Sequence, residues 1–367
     1  MLVGVGGMAA PLRGRDSVMA MRRALPIALV AAGLAGCGGG GSGKAAATPS
    51  GGSSSGEQPA SRVVGHPTVV ARGIPFPTNL AFDAQGRLWV SSGAGGSNPS
   101  DGVWYVPPNG RPRHVARRLT AAFGLAWAGD RLYVTHITSP ATGAITRLDG
   151  FTGTGFRHRR VVVDGVPVGD HTLGSIVQDP DGRLFFGAGA TRTSGGPTGR
   201  VLSFMPGQHR PRVEATGFSS AFGLAVAGQR LLVTDDGRND LGPSRPHDEL
   251  DALDRNGPVV DFGYPGCYGQ GGSACAGTQP PLTNFAAHAS PAGVAVRDDV
   301  AYVAENGSSV PGHPTGSDIQ RVDLRTGRRS VFWRSPVKHD PTGLALGPDG
   351  NLYLALYASG EVVRFDL

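Results

Sequence analysis

The chain has 367 residues, with 59 glycines, 29 prolines and only 17% charged side chains. Its formal charge is +6, and half of that comes from Arg13, Arg15, Arg22 and Arg23 against Asp16 near the start. The other basic residues are scattered, which excludes a nucleic-acid partner. The length suits one long all-β domain as well as two ordinary ones.

The first 37 residues read as a targeting segment. Arg22 and Arg23 form a charged region before a short apolar run from Leu25 to Leu34, too short to span a bilayer. Met19 and Met21 are better placed starts than Met1, because either puts the arginines directly at the N-terminus. Leu34-Ala35-Gly36-Cys37 then has the form of a bacterial lipoprotein signal. Cys37 becomes the lipidated first residue of the mature protein on this reading; an ordinary secretory signal with an incidental cysteine is the alternative. Residues 38–61 are Gly/Ser/Ala/Thr/Pro-rich and lack the apolar bulk to fold, so a disordered tether is expected. The protein is expected to be exported and lipid-anchored on the outer face of the cytoplasmic membrane.

From residue 62 onward the chain repeats. Six copies read FPTNLAFDAQGRLWVSSG (from Phe76), TAAFGLAWAGDRLYVTHI (from Thr120), HTLGSIVQDPDGRLFFGAGA (from His171), SSAFGLAVAGQRLLVTDDG (from Ser219), ASPAGVAVRDDVAYVAENG (from Ala289) and DPTGLALGPDGNLYLALYA (from Asp340). Units of roughly forty to fifty residues with four strand-like runs predict propeller blades. The innermost strand is the GLAF-like run, whose small residues let backbones crowd near an axis. The second strand is RLWV-like. The third runs GVWYV, GAITRL, GRVLSF, DELDAL, SDIQRV and GEVVRF. The fourth runs HVARR, RVVVDG, RVEATG, LTNFAAH and SVFWRS, and the last copy has none. Thr68–Arg72 supplies that missing strand from the other end, so a closed six-bladed all-β propeller over 62–367 is predicted. Closure removes the open edge that an incomplete last blade would leave.

The fourth copy carries a long insertion, from GRNDLGPSRPHDEL to QPPLTNF. Cys267 and Cys275, in CYGQGGSAC, suit a small disulfide loop in an exported protein; free thiols are the alternative, and two thiols without a histidine cluster make zinc a poor fit. Asp235, Asp236, Asp240, Asp248 and Glu249 form an acidic cluster. Calcium takes hard oxygen ligands of this kind, whereas a solvated loop balanced by Arg238 and Arg245 is the plainer reading. His171, at the head of the third innermost strand, faces the end of a propeller where ligands enter. Its type suits a general base, though a lone histidine is more often structural. No Gly-x-Ser-x-Gly elbow, HExxH, P-loop or dinucleotide fingerprint stands out.

VTDDGRNDLGPSRPHDELDALDRNGPVVDFGYPGCYG, GDHTLGSIVQDPDGRLFFGAGA, HASPAGVAV and VAENGS together resemble the glucose/sorbosone dehydrogenase family, quinoprotein sugar dehydrogenases of six-bladed propeller fold. The resemblance spans roughly Pro67 to Leu367, and the DEL…FGYPGCYG run is its most specific part. It implies pyrroloquinoline quinone over the axial channel, with calcium beneath the quinone carbonyls. His171 matches the catalytic base. Gly242 and Pro243 match the residues whose carbonyls reach calcium, and Asp248 and Glu249 match the acids supporting that site. Ser219, Ser220, Arg238, Asn239 and Asp340 fall around the expected cofactor. Ser219 and Ser220 replace an Arg-Asn pair, Asp340 replaces an arginine, and Ala190 stands where some members orient the histidine with an aspartate. Serine does not substitute for a bidentate guanidinium, so Arg192, Arg238 or Lys338 would have to compensate. The implied function is oxidation of a sugar or related alcohol or aldehyde, with electrons passed to a membrane or soluble acceptor. The rival expectation is a degenerate propeller that binds carbohydrate or protein without redox chemistry; a calcium-dependent lactonase-type propeller is a third.

Overall fold

The computed structural model describes residues 66–367 apart from 95–97, 109, 170, 193–197 and 270. The leader, Cys37 and the tether lie outside the described residues. Six blades of four antiparallel strands make up the fold, and among the described residues no helix is long and apolar enough to cross a membrane.

Blade one comprises β2 (Pro77–Phe82), β3 (Leu88–Ser92), β4 (Gly102–Val106) and β5 (Arg113–Arg117). Blade two comprises β6 (Gly124–Ala128), β7 (Arg131–Ser139), β8 (Thr142–Phe151) and β9 (Phe156–Pro167). Blade three comprises β10 (Leu173–Gln178), β11 (Leu184–Ala188), β12 (Gly199–Phe204) and β13 (Arg212–Phe218). Blade four comprises β14 (Ala221–Ala227), β15 (Arg230–Asp235), β16 (Glu249–Asp254) and β18 (Thr283–Asn284). Blade five comprises β19 (Pro291–Arg297), β20 (Val300–Glu305), β21 (Asp318–Asp323) and β22 (Arg329–Arg334). Blade six comprises β23 (Pro341–Leu346), β24 (Leu352–Leu356), β25 (Glu361–Phe365) and β1 (Thr68–Arg72).

The expected closure is present. β1 pairs antiparallel with β25, from Thr68 opposite Arg364 to Arg72 opposite Glu361. Gly73 and Ile74 then donate backbone hydrogen bonds to Gly360 O.

The core lies between blades. Each of the six blade junctions has its own buried apolar cluster, such as Trp89, Leu125 and Leu148 between blades one and two, or Tyr302, Phe332 and Leu354 between blades five and six. Near the axis the junctions become too tight for side chains. A Cβ on Gly124 would stand 2.7 Å from Gly174 O, and one on Gly174 would stand 2.3 Å from Phe222 O. The same contact continues from Gly223 to Ala292 O, from Gly293 to Thr342 O, and from Gly343 to Asn79 Cα. Threonine hydroxyls tie neighbouring inner strands: Thr78 Oγ1 donates to Ala122 O at 2.6 Å and Thr135 Oγ1 to Gly174 O at 2.8 Å. Thr234 Oγ1 donates to Ala292 O and Thr342 Oγ1 to Pro77 O, each at 2.9 Å. These buried hydroxyls thereby keep their partners.

Three details depart from the sequence expectation. The β8–β9 hairpin runs well past GAITRL and RVVVDG, because Phe151 and Phe156 at its tip pack on Trp89 of blade one. The outer strand of blade four shrinks to two residues, β18. Pro280 and Pro281 just before it have no N–H to offer a ladder. A further short strand, β17 (Val260–Asp261), pairs parallel with β13 and covers the outer edge of blade three.

Candidate functional site

His171, Ser219–Ser220 and Asp340 each stand at the head of an innermost strand, just before β10, β14 and β23. His171 is half-buried in the bend before β10. Gly189 N donates to Thr172 O at 3.1 Å, pinning the bend to the end of β11. The imidazole lies over Gly189, where a Cβ would come within 2.4 Å of His171 Cβ. Ala190 is fully buried, and its N–H donates to Ser219 O at 2.8 Å. Blades two and four meet in front of blade three: the Phe123 and Phe222 ring centroids are 5.6 Å apart. Phe123 precedes β6 and Phe222 lies on β14, so the contact joins two non-adjacent blades.

The insertion of blade four folds back on blade three. Phe262 N donates to Thr216 O and Tyr264 N to Gly217 O, each at 2.9 Å, while Tyr264 OH donates to Arg192 O at 2.8 Å. Cys267 and Cys275 form a disulfide, with Cα atoms 4.9 Å apart. The FGYPGCYG run is thereby held close to the blade that carries His171.

Ser219 and Ser220 present their backbone N–H groups to the Asp235 carboxylate, at 3.0 and 2.5 Å. Asp340 is 1% exposed, and its carboxylate accepts from Ser359 N at 2.8 Å and Ser359 Oγ at 2.6 Å. It therefore latches a turn of blade six. Arg238 is engaged by both oxygens of Asp240 at 2.8 Å and donates to Pro265 O at 3.3 Å. Arg192 and Lys338 are exposed. The cofactor positions implied by the resemblance thus offer one guanidinium, already neutralised, and do not fit the charge of a tricarboxylate.

The implied calcium ligands are not assembled as a set either. Gly242 and Pro243 occupy an exposed turn. Gly242 O faces His288 Nε2 at 2.9 Å, and Asn239 Oδ1 faces His288 Nδ1 at 2.9 Å. Asp248 is fully buried, but its two oxygens accept from Gly237 N at 2.9 Å and Ser290 N at 2.8 Å. It ties the insertion to the entry of blade five. Glu249 points elsewhere, into a group with Asp235 and Asp251 whose ligand atoms lie within 4.8 Å of one another. Burial pushes the Asp235 and Asp248 carboxyls up to about 7 and, with Asp235 nearby, Glu249 up to about 8. Burial and then Glu249 raise Asp251 well above the usual carboxylate range. Asp251 escaped the sequence reading, although its i, i+2 spacing from Glu249 on DELDAL was the available signal.

No protein-family model and no curated protein matches the sequence. Solved structures do match. The pyranose dehydrogenase PQQ domain of Coprinopsis cinerea, in its holo form, is 18% identical with a TM-score of 0.69, over 85% of this chain and 98% of that one. The PQQ-bound aldose sugar dehydrogenase of Streptomyces coelicolor is 22% identical with a TM-score of 0.62, over 81% and 96%. The calcium structure of the Trichoderma reesei Carbohydrate-Active Enzymes Family AA12 protein is 16% identical with a TM-score of 0.68, over 82% and 95%. This chain therefore has the propeller fold of PQQ-dependent sugar dehydrogenases along more than four fifths of its length.

Proposed function

We propose that this propeller is a sugar-directed oxidoreductase whose substrate hydroxyl meets His171 at the channel entrance. The observation that carries this reading is the seating of His171 on Gly189 at the head of an innermost strand, in a fold shared with sugar dehydrogenases. An imidazole there can take the hydroxyl proton as a general base. The Phe123–Phe222 pair gives the entrance an apolar wall, as ligand sites usually have. Oxidising the alcohol or aldehyde hydrate also removes a hydride. A quinone cofactor would supply that two-electron acceptor, and the neutralised Arg238 and the Asp340 latch make its binding the first thing to test. Its electrons would pass on to a membrane or soluble acceptor.

The second reading, a propeller that binds carbohydrate or protein without redox chemistry, is favoured by the pairing of Arg238 with Asp240 and by the Asp340 latch. Calorimetry and absorbance with pyrroloquinoline quinone and calcium, run beside a sugar panel with dye reduction, separate the two. Micromolar cofactor binding and sugar-dependent reduction that disappears in His171→Ala support the oxidoreductase. Sugar binding without cofactor binding rejects it and leaves the second reading.

Export and anchoring through Cys37 complete the proposal, with residues 38–61 holding the propeller off the membrane. Mass spectrometry of the mature N-terminus is expected to find diacylglycerol on Cys37. An unmodified N-terminus elsewhere rejects the anchor.

A further inference from the structure

Basic residues that read as scattered along the sequence gather in the fold. The outermost strands of blades one and two, β5 and β9, carry Arg113 and Arg117, and Arg157, Arg159 and Arg160, with Arg111 and Arg118 flanking β5. All seven are exposed. The two strands lie side by side: a Cβ on Gly155, just before β9, would stand 3.5 Å from Val115 O of β5. Arg159 Nη1 and Nη2 donate to Arg117 O and Arg118 O, each at 2.7 Å. Burial lowers the pKa of the Arg159 guanidinium, and the nearby Arg118 charge lowers it further, as expected of like charges held close together.

No acid offsets this face. The sequence has none between Asp101 and Asp130, or between Asp149 and Asp164. Among the described residues, none of the seven arginines makes an ion pair. The fourth strands of blades six, three and five differ, for Arg72 pairs with Glu361, Arg212 with Glu214 and Arg334 with Asp318. Charge that only kept edges from pairing would need no such imbalance. The seven positive charges also exceed the formal charge of the whole chain, +6. The rest of the molecule is therefore net negative, and the field is one-sided.

We infer that this arginine face docks on a membrane surface that bears anionic, phosphate-carrying lipid headgroups. Guanidinium groups take phosphate oxygens in bidentate pairs, and a cluster of about four to eight basic side chains is what an anionic lipid surface holds. Val161, 45% exposed beside Arg160, adds an apolar contact. The entry of the chain favours a membrane over a soluble polyanion. β1, the first strand after residues 38–61, lies against the start of this face: a Cβ on Gly110 would stand 3.4 Å from Val70 O. The segment leading back to Cys37 therefore joins the propeller beside the arginines, and this choice of occupant rests on the anchoring reading.

The test uses the full chain with Cys37→Ser, so that no acyl chain contributes. Vesicles of equal parts phosphatidylglycerol and phosphatidylcholine are compared with vesicles of phosphatidylcholine alone. Sedimentation is expected to show binding to the anionic vesicles that rising salt weakens. Arg113→Ser, Arg117→Ser, Arg157→Ser and Arg160→Ser, combined, are expected to weaken it about tenfold or more. Arg210→Ser, Arg321→Ser, Arg325→Ser and Arg328→Ser, combined, remove the same charge from exposed positions elsewhere and are expected to leave binding at the wild-type level. Equal losses in the two variants would overturn the docking face. So would binding no stronger to anionic than to neutral vesicles. Heparin bound more tightly than the anionic vesicles would also overturn it and assign the face to an acidic polysaccharide. If the first variant does not fold, Arg113→Ser with Arg160→Ser, set against Arg321→Ser with Arg328→Ser, decides. Because the tested chain cannot be lipidated, failure here leaves the Cys37 anchor to mass spectrometry and the oxidoreductase reading to the cofactor and His171.

Discussion

His171 and Gly189 are in direct contact: a Cβ at position 189 would fall 2.4 Å from His171 Cβ and 3.0 Å from its Cγ. Only a residue without a side chain leaves the imidazole its place. Gly189→Ala is expected to shift the His171 ring signals in NMR spectra and to lower sugar-dependent turnover about 100-fold, the scale of losing a general base. Full turnover in that variant would remove His171 from the reaction.

The ring closes through a similarly tight contact. A Cβ on Gly343 would lie 2.4 Å from Asn79 Cα and 2.7 Å from Thr78 O, and neither backbone atom can swing aside. Gly343→Ala is expected to destabilise the propeller by about 1–3 kcal/mol, the cost of overpacking. Gly155→Ala meets only Val115 O at 3.5 Å and serves as the control. Equal denaturant midpoints for the two variants would contradict the tight junction.

The Cys267–Cys275 bridge closes a short loop, with a sequence separation of 8. Loop-closure entropy then predicts a loss of about 2–3 kcal/mol for the Cys267→Ser, Cys275→Ser double variant. Chemical denaturation checks this, and the loss should reappear in the wild type under reducing conditions. Because this loop hangs on blade three through Tyr264, increased proteolysis should be confined to the insertion.

Glu305 of blade five is expected to make stability depend on pH. It is 2% exposed and stands opposite Asp318. Burial first, and then Asp318, push its carboxyl up to about 9 from an ordinary 4.5, with Arg329 opposing the rise. The folded state therefore holds a proton that the unfolded state releases. Its contribution is complete below about pH 4.5 and is lost as pH rises towards about 9. Glu305→Gln should flatten that decline in urea midpoints measured between these limits. An unchanged slope would show that Glu305 is not its source.

Much of the architecture was legible before the fold was seen. Five of the six copies centre on glycine (Gly124, Gly174, Gly223, Gly293 and Gly343) and the first on Asn79, and the runs mark the inner strands because backbones touch at the axis. Thr68–Arg72 could be matched to the missing strand of the last blade because it bears the same relation to its following repeat as HVARR does. The extra β17 pairing was not legible, since two residues of an insertion carry no periodicity.

The site divided along the same line. Sequence alone located His171, the acidic insertion and the paired cysteines, because residue type and spacing along the chain are local properties. The tertiary structure decided which groups those residues meet. Asp340 turns to Ser359, Asp248 to the backbone of Gly237 and Ser290, and Arg238 to Asp240. It also brought Asp235, Glu249, Asp251 and Asn284 onto one sheet face, from three strands with the insertion between them. Pairing register across strands sets those encounters, and register depends on contacts between segments far apart in the chain.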